Sequence, residues 1–226
     1  MPESLDSRIP EPELMEETEQ ARAYAQADFD QPHDMFVDAF RQRFGPSLSG
    51  TVLDLGCGTA DISCRFARAF PHINIHGIDG SAAMLTFARQ TVEAQGLSSR
   101  IALFHMAIPV ASLPQESYDG IIVNSLLHHL PRPEVMWQTI RQAGGPGTPV
   151  FVMDLIRPEN KARAREIVET YSGNEPEVLK RDFYNSLLAA FRPDEIRDQL
   201  KREGMDFLKL EIVSDRHFIV WGHLQV

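Results

Sequence analysis

The sequence predicts an α/β fold: a doubly wound sheet of seven strands, with helices on both faces. Three observations predict it. From Thr51 to Asp154, short apolar runs alternate with stretches of helical period, the rhythm of β-α-β crossovers in a parallel sheet. Five of those runs, TVLDL, INIHGID, IALFH, GIIVN and PVFVMD, are apolar on both faces, as strands covered on both sides must be. Near the end of the chain, FLKLEIV and HFIVWG lie a short link apart, which predicts an antiparallel hairpin beside the five parallel strands.

The elements follow in order. Residues 1–10 read as a loose tail. Residues 12–28 have helix-forming composition, with Leu14, Ala21 and Tyr24 near helical spacing, and the acidic run EPELMEETEQ reads as a solvated helix face. After a break at DFDQP a second helix runs over about 33–44. It carries Phe36, Phe40 and Phe44 at i, i+4 and i+8, and Gly45-Pro46 ends it. Between the strands, residues 60–70 place Ile62, Phe66 and Ala69 on one helical face. Ser81 caps a helix bearing Leu85, Ala88 and Val92 that stops at Gly96, and Pro133 opens a helix over 132–143. After Asp154 the rhythm changes to two helices, 158–171 and about 176–190, with no strand between them, and a third from Pro193. Leu208, Leu210 and Ile212 share one face of the sixth strand. The division expected is an N-terminal helical lid over 1–45 and a ligand-binding domain over 46–226, with a helical insert at about 158–192.

A chain of 226 residues, 43% of them hydrophobic, has the size and composition of a globular domain with a core of its own. No apolar run approaches the ~20 residues of a membrane helix. The acidic N-terminus lacks the basic-then-apolar pattern of a secretory signal. Cys57 and Cys64, one in the glycine turn and one in the helix after it, predict no structural disulfide and a reducing, cytoplasmic setting. No cluster of histidines or acids stands near them at ligand spacing, so no zinc or other metal site is expected. A net charge of −10 with no Lys/Arg block argues against a nucleic-acid partner. The partner expected is a small molecule, with no membrane, for a monomer or a homodimer.

The stretch VLDLGCGTADIS, residues 52–63, carries the functional signal. A turn after the first strand of such a sheet is where ligands bind. A dinucleotide fingerprint there is G-x-G-x-x-G, with its diphosphate at the helix N-terminus. Here Gly56 and Gly58 are followed by Asp61 where the third glycine would stand, and Asp54 lies just before them. Two carboxylates repel a diphosphate and favour a cation. S-adenosylmethionine carries a sulfonium and an ammonium and has no phosphate. Asp79, at the end of the second strand, can accept from both hydroxyls of a ribose, as acids do in NAD sites too.

Taken together, LDLGCGTAD and GIDGSAAML resemble class I S-adenosylmethionine-dependent methyltransferases, whose Rossmann-like sheet has the same five-plus-hairpin order. The resemblance covers about residues 50–226. It implies that Gly56, Cys57 and Gly58 contact the methionine portion beside Asp54. It also implies that Asp79, with Gly80 next to it, holds the ribose and that Met84 packs on the adenine. Many members carry an acid after the third strand to receive the adenine amino group; Met106 and Ala107 occupy that loop here. Where many have a third turn glycine this chain has Ala60. The resemblance places Asn124 and Ser125 beside the cofactor, with His128 and His129 just past it.

Tyr24, Phe29 and Phe36 read equally as core residues and as parts of a lid, and Tyr184 as packing or as a wall of the acceptor pocket. His128 reads as an ordinary histidine or as a group that orients or deprotonates an acceptor. Cys57 reads as a small packing residue without thiol chemistry. The function expected is methyl transfer to a small molecule. The alternatives are a protein or RNA methyltransferase, an NAD(P)-dependent oxidoreductase and a non-catalytic cofactor-binding subunit.

Overall fold

The computed structural model describes residues 5–11, 18–27 and 29–225. Two helices, α1 (Thr18–Gln26) and α2 (Asp30–Phe44), precede the sheet. The alternating part comprises β1 (Ser49–Leu55), α3 (Asp61–Ala69), β2 (His72–Asp79), α4 (Ala82–Ala94), β3 (Ile101–His105), β4 (Gly120–Asn124), α5 (Glu134–Ala143) and β5 (Pro149–Leu155). Then come α6 (Lys161–Ser172), α7 (Glu177–Ala189), α8 (Pro193–Arg202), β6 (Lys209–Ile212) and β7 (His217–His223). The strands form one sheet of order β3-β2-β1-β4-β5-β7-β6. Its first five strands are parallel, and β7 runs antiparallel to both β5 and β6. The seven-stranded α/β fold is therefore the one expected. No helix among the described residues is long and apolar enough to cross a membrane.

Side-chain alternation builds one core on each face. Val52, Ile73, Ile75, Phe151 and Ile219 face α2, α3 and α4, while Leu53, Ile78, Val123, Val152 and Val220 face α5 and α8. Phe36 and Phe40 are buried in the first of these cores, so α2 is part of the body of the protein. It begins at Asp30 rather than near residue 33 because a proline, here Pro32, is tolerated in a first turn. Ser81 caps α4 as expected, its hydroxyl accepting from Met84 N at 3.1 Å. Helices α6 and α7 bury Ala164, Ile167 and Leu187 in a small separate cluster.

Two expectations need correction. The segment 5–11 is docked rather than loose: Leu5 is buried, its N–H donates to Glu159 O, and Ile9 N donates to Leu188 O. Arg157 and Arg192 in turn donate to Leu5 O. An apolar residue and complementary backbone groups can tie down a terminus whose composition is polar. The apolar face of the sixth strand also runs out, since Ile212 is 63% exposed. The strand β6 lies at the sheet edge, with β7 its one partner strand among the described residues. Leu14 lies outside the described residues.

Candidate active site

The glycine turn sits where the sheet order reverses, since β1 has β2 on one side and β4 on the other. Gly56 and Cys57 N–H groups donate to Ile78 O, which ties the turn to the end of β2. Gly56 has φ +78°, a left-handed backbone that favours glycine, and a Cβ there would also crowd the Leu126 side chain at 2.9 Å. At Gly58, φ +53°, a Cβ would meet nothing within 4 Å; that backbone faces open space. Ala60 has φ +62°, the left-handed conformation that explains why glycine suits this position. Ser125, at the end of β4, is likewise left-handed at φ +52°.

One cavity of about 520 Å³ opens above this turn. Its floor includes Asp54, Gly56, Cys57, Gly58, Asp79, Gly80, Met84, Met106, Ala107, Asn124 and Ser125. The fold thus brings together every residue that the resemblance implied for the cofactor. The roof comes from Tyr24 and Phe29 around α1 and from Leu179, Asp182, Phe183 and Ser186 of α7. Gln20 of α1 donates to Asp182 of α7 at 2.9 Å, joining the two sides. Tyr24 stacks on Phe29 at 4.6 Å, and burial pushes its phenol up to about 12. Tyr184 is not in the wall. It packs into the α6–α7 cluster, with Arg165 over its ring, because neighbouring residues on a helix point about 100° apart. Its neighbour Phe183 faces the cavity.

The acids of the floor differ in state. Asp54 is fully buried; burial pushes its carboxyl up to about 7, against the pull of a hydrogen bond from Ser63. Asp79 is also raised by burial, although it accepts from Gly58 N and Ser81 N, each at 2.8 Å. Its carboxylate therefore holds both the turn and the start of α4, and it has lone pairs left for a ligand. Asp61 is already partnered, by His33 at 2.6 Å and Arg65 at 2.7 Å. It joins α3 to α2, and its charge weighs less on a ligand than its sequence position suggests. Cys57 is buried, burial raises its thiol well above the usual range, and its Sγ would lie 3.0 Å from a Cβ at Gly77. It is a packing residue, as expected.

Sequence reasoning missed the group beside the His pair. His128 is buried, with Nδ1 2.5 Å from Asp154 Oδ1. Asp154 also accepts from Leu127 N and Leu155 N, each at 2.7 Å. Burial pulls His128 down and pushes Asp154 up, but their contact outweighs it: the histidine is raised and the acid lowered. Glu11 completes the group, with Oε1 3.6 Å from His128 Nε2 and 3.2 Å from His129 Nδ1. An acid at the carboxyl end of a parallel strand was a signal for Asp154. Nothing in the sequence marks Glu11, which was expected in a solvated run.

The floor offers acceptors to a cation. Asn124 Oδ1 is buried with no hydrogen-bond partner among the described residues, and Asp54 lies in the same wall. Arg216 is the one Arg or Lys in the described lining, against Asp30, Asp54, Asp61, Asp79, Glu175 and Asp182.

Residues 52–147 match the family described as Methyltransferase domain. Among curated relatives, the ribosomal RNA small subunit methyltransferase C of Vibrio parahaemolyticus is 39% identical over 83 residues, 37% of this chain and 23% of that protein. An uncharacterized methyltransferase of Mycobacterium tuberculosis strain H37Rv is 25% identical over 131 residues, 57% of this chain and 64% of that one. The chain therefore spans less than two thirds of either relative. The solved structure of the plantazolicin methyltransferase BpumL, in complex with a pentazolic desmethylPZN analog and SAH, has a similar fold. Its TM-score is 0.67 at 13% identity, covering 89% of each chain.

Proposed function

We propose that this chain carries a class I S-adenosylmethionine-dependent methyltransferase domain and methylates a small molecule held under the α1–α7 roof. The observation that carries this reading is the roofed cavity, which runs from the glycine turn to the His128 wall. Asp54 and the Gly56–Gly58 turn would hold the methionine end, Asp79 and Gly80 the ribose, and Met84, Met106 and Ala107 the adenine. Asn124 Oδ1 supplies an acceptor for an ammonium group. When bound, the cofactor supplies an activated methyl on a sulfonium. The protein's own task is then alignment, and holding reactants about 3–3.5 Å apart can supply several kcal/mol. Tyr24 and Phe29 exclude water, and His128, fixed in one orientation by Asp154, orients the acceptor.

The ribosomal RNA relative favours a second reading, an RNA acceptor. Its likeness is confined to 37% of this chain, and the acidic lining disfavours a polyphosphate strand. One set of measurements tests both. Saturation with S-adenosylmethionine at 100 times its dissociation constant should add about 2.7 kcal/mol of stability in a melting scan, and NAD should add none. Filter binding to rRNA fragments and tRNA at low salt should be weak. Stabilisation by NAD alone overturns the cofactor, and tight, salt-dependent RNA binding overturns the acceptor class.

A pH dependence follows from Asp54. A cationic ligand end binds the carboxylate form, and protonation competes with it. With the free group at about 7, cofactor affinity is full at high pH and is lost as pH falls through 7. The dissociation constant should rise about tenfold from pH 8 to pH 6. Asp79, also raised, acts in the same direction. A flat affinity across that range in calorimetry would show that no carboxylate of this floor faces the cation.

A further inference from the structure

The geometry points to an open divalent-metal site formed by Glu11, His128 and His129, whose two histidines line the acceptor end of the cavity with Glu11 behind them. The placement of the acceptor rests on the reading above; the site itself rests on the cluster. Its three donor atoms, one from each residue, lie within 4.8 Å of one another. Metal–ligand bonds of about 2.0–2.2 Å in a tetrahedral site put neighbouring donors about 3.3–3.6 Å apart. Glu11 Oε1 stands 3.2 Å from His129 Nδ1 and 3.6 Å from His128 Nε2, so these two pairs already have the spacing of ligands to one ion.

The surroundings are those a metal ligand set needs. A ligating histidine is oriented when its other ring nitrogen donates to a carboxylate. His128 meets that condition through Nδ1 and Asp154, which leaves Nε2 toward Glu11. A ligating carboxylate is itself usually hydrogen-bonded, and Ser186 Oγ donates to Glu11 Oε1 at 3.0 Å. The nearby cation, Arg8, donates to the carbonyl oxygens of His128 and Leu130 and lies over the Phe191 ring at 4.1 Å, which locks the loop that carries both histidines.

Two imidazoles and one carboxylate suit a borderline first-row cation such as zinc better than magnesium. Three protein ligands leave at least one coordination position open. His128, His129 and Ser186 all line the cavity, so that position can take a hydroxyl, thiol or carboxylate of the acceptor. Such an acceptor would bind through a donor atom to the metal and through its apolar part to Tyr24 and Phe29.

Cobalt(II), which reports its coordination by visible absorption, is the probe. Titrating the metal-free full chain with Co2+ should give d–d bands that saturate near one equivalent. Glu11→Gln and His129→Ala should each weaken Co2+ binding about tenfold or more, while affinity for S-adenosylmethionine by calorimetry stays nearly unchanged. His129→Gln serves if the alanine variant fails to fold, with the same loss expected. Wild-type protein that takes up no Co2+, or takes it up with the affinity and spectrum of the variants, overturns the site. That result stands whether or not the wild type binds S-adenosylmethionine, and the calorimetry judges the methyltransferase reading separately.

Discussion

Phe40→Ala should destabilise the protein by about 3–5 kcal/mol, the range for removing a buried aromatic side chain. Phe40 is 1% exposed and packs edge-on against Phe66 at 4.7 Å, Phe70 at 5.4 Å and Phe151 at 5.7 Å. These rings come from α2, α3, the turn before β2, and β5, so no single element can collapse into the space left behind. For a chain of this size that loss corresponds to roughly 6–20 °C in melting temperature. Phe29→Ala, at the cavity roof, should cost far less stability and should raise the acceptor KM instead. The pair of variants separates body from roof. A Phe40→Ala protein that melts like wild type would mean that α2 is a detachable lid. The same reasoning predicts that removal of residues 1–45 prevents folding, since Phe36 and Phe40 leave together.

Asp79→Ala should weaken cofactor binding at least tenfold, which needs only about 1.4 kcal/mol. Two losses add. The ribose loses its acceptor, and Gly58 N and Ser81 N lose the carboxylate that holds the turn against α4. The second loss should also lower stability, by about 1 kcal/mol, the net worth of hydrogen bonds whose part-buried donors water can partly satisfy. Asp79→Asn keeps one acceptor oxygen and should fall between Ala and wild type on both measures. The contact lies away from the reacting methyl and should form in ground state and transition state alike. The cofactor KM should therefore move strongly and kcat less. Calorimetry on the Ala variant is the direct test. Unchanged affinity would mean that the ribose lies elsewhere and that the whole placement of the cofactor is wrong.

The sequence by itself determined the sheet, its helices and the floor of the site. Those features rest on local chemistry: strands show as runs apolar on both faces, Ser81 as a cap and Gly58 as a turn residue with a left-handed backbone. Asp54 and Asp79 fall at strand ends because their strands do. Tertiary packing alone decided which aromatic residues serve the core and which the cavity. Phe29 and Phe36 belong to one continuous stretch, yet Phe36 lies inside α2 and is buried by it, while Phe29, just before that helix, stays over the ligand space. On α7, helical rotation exchanged Tyr184 for Phe183. The contact of Glu11 with His128 and His129 was not legible at all. It joins a docked N-terminal segment to the loop after β4, and Arg8 bridges 120 residues to hold it there. No periodicity or spacing encodes such a contact. It exists because Leu5, Arg157 and Arg192 fix that segment against the insert helices, a result of packing between elements that the sequence lists far apart.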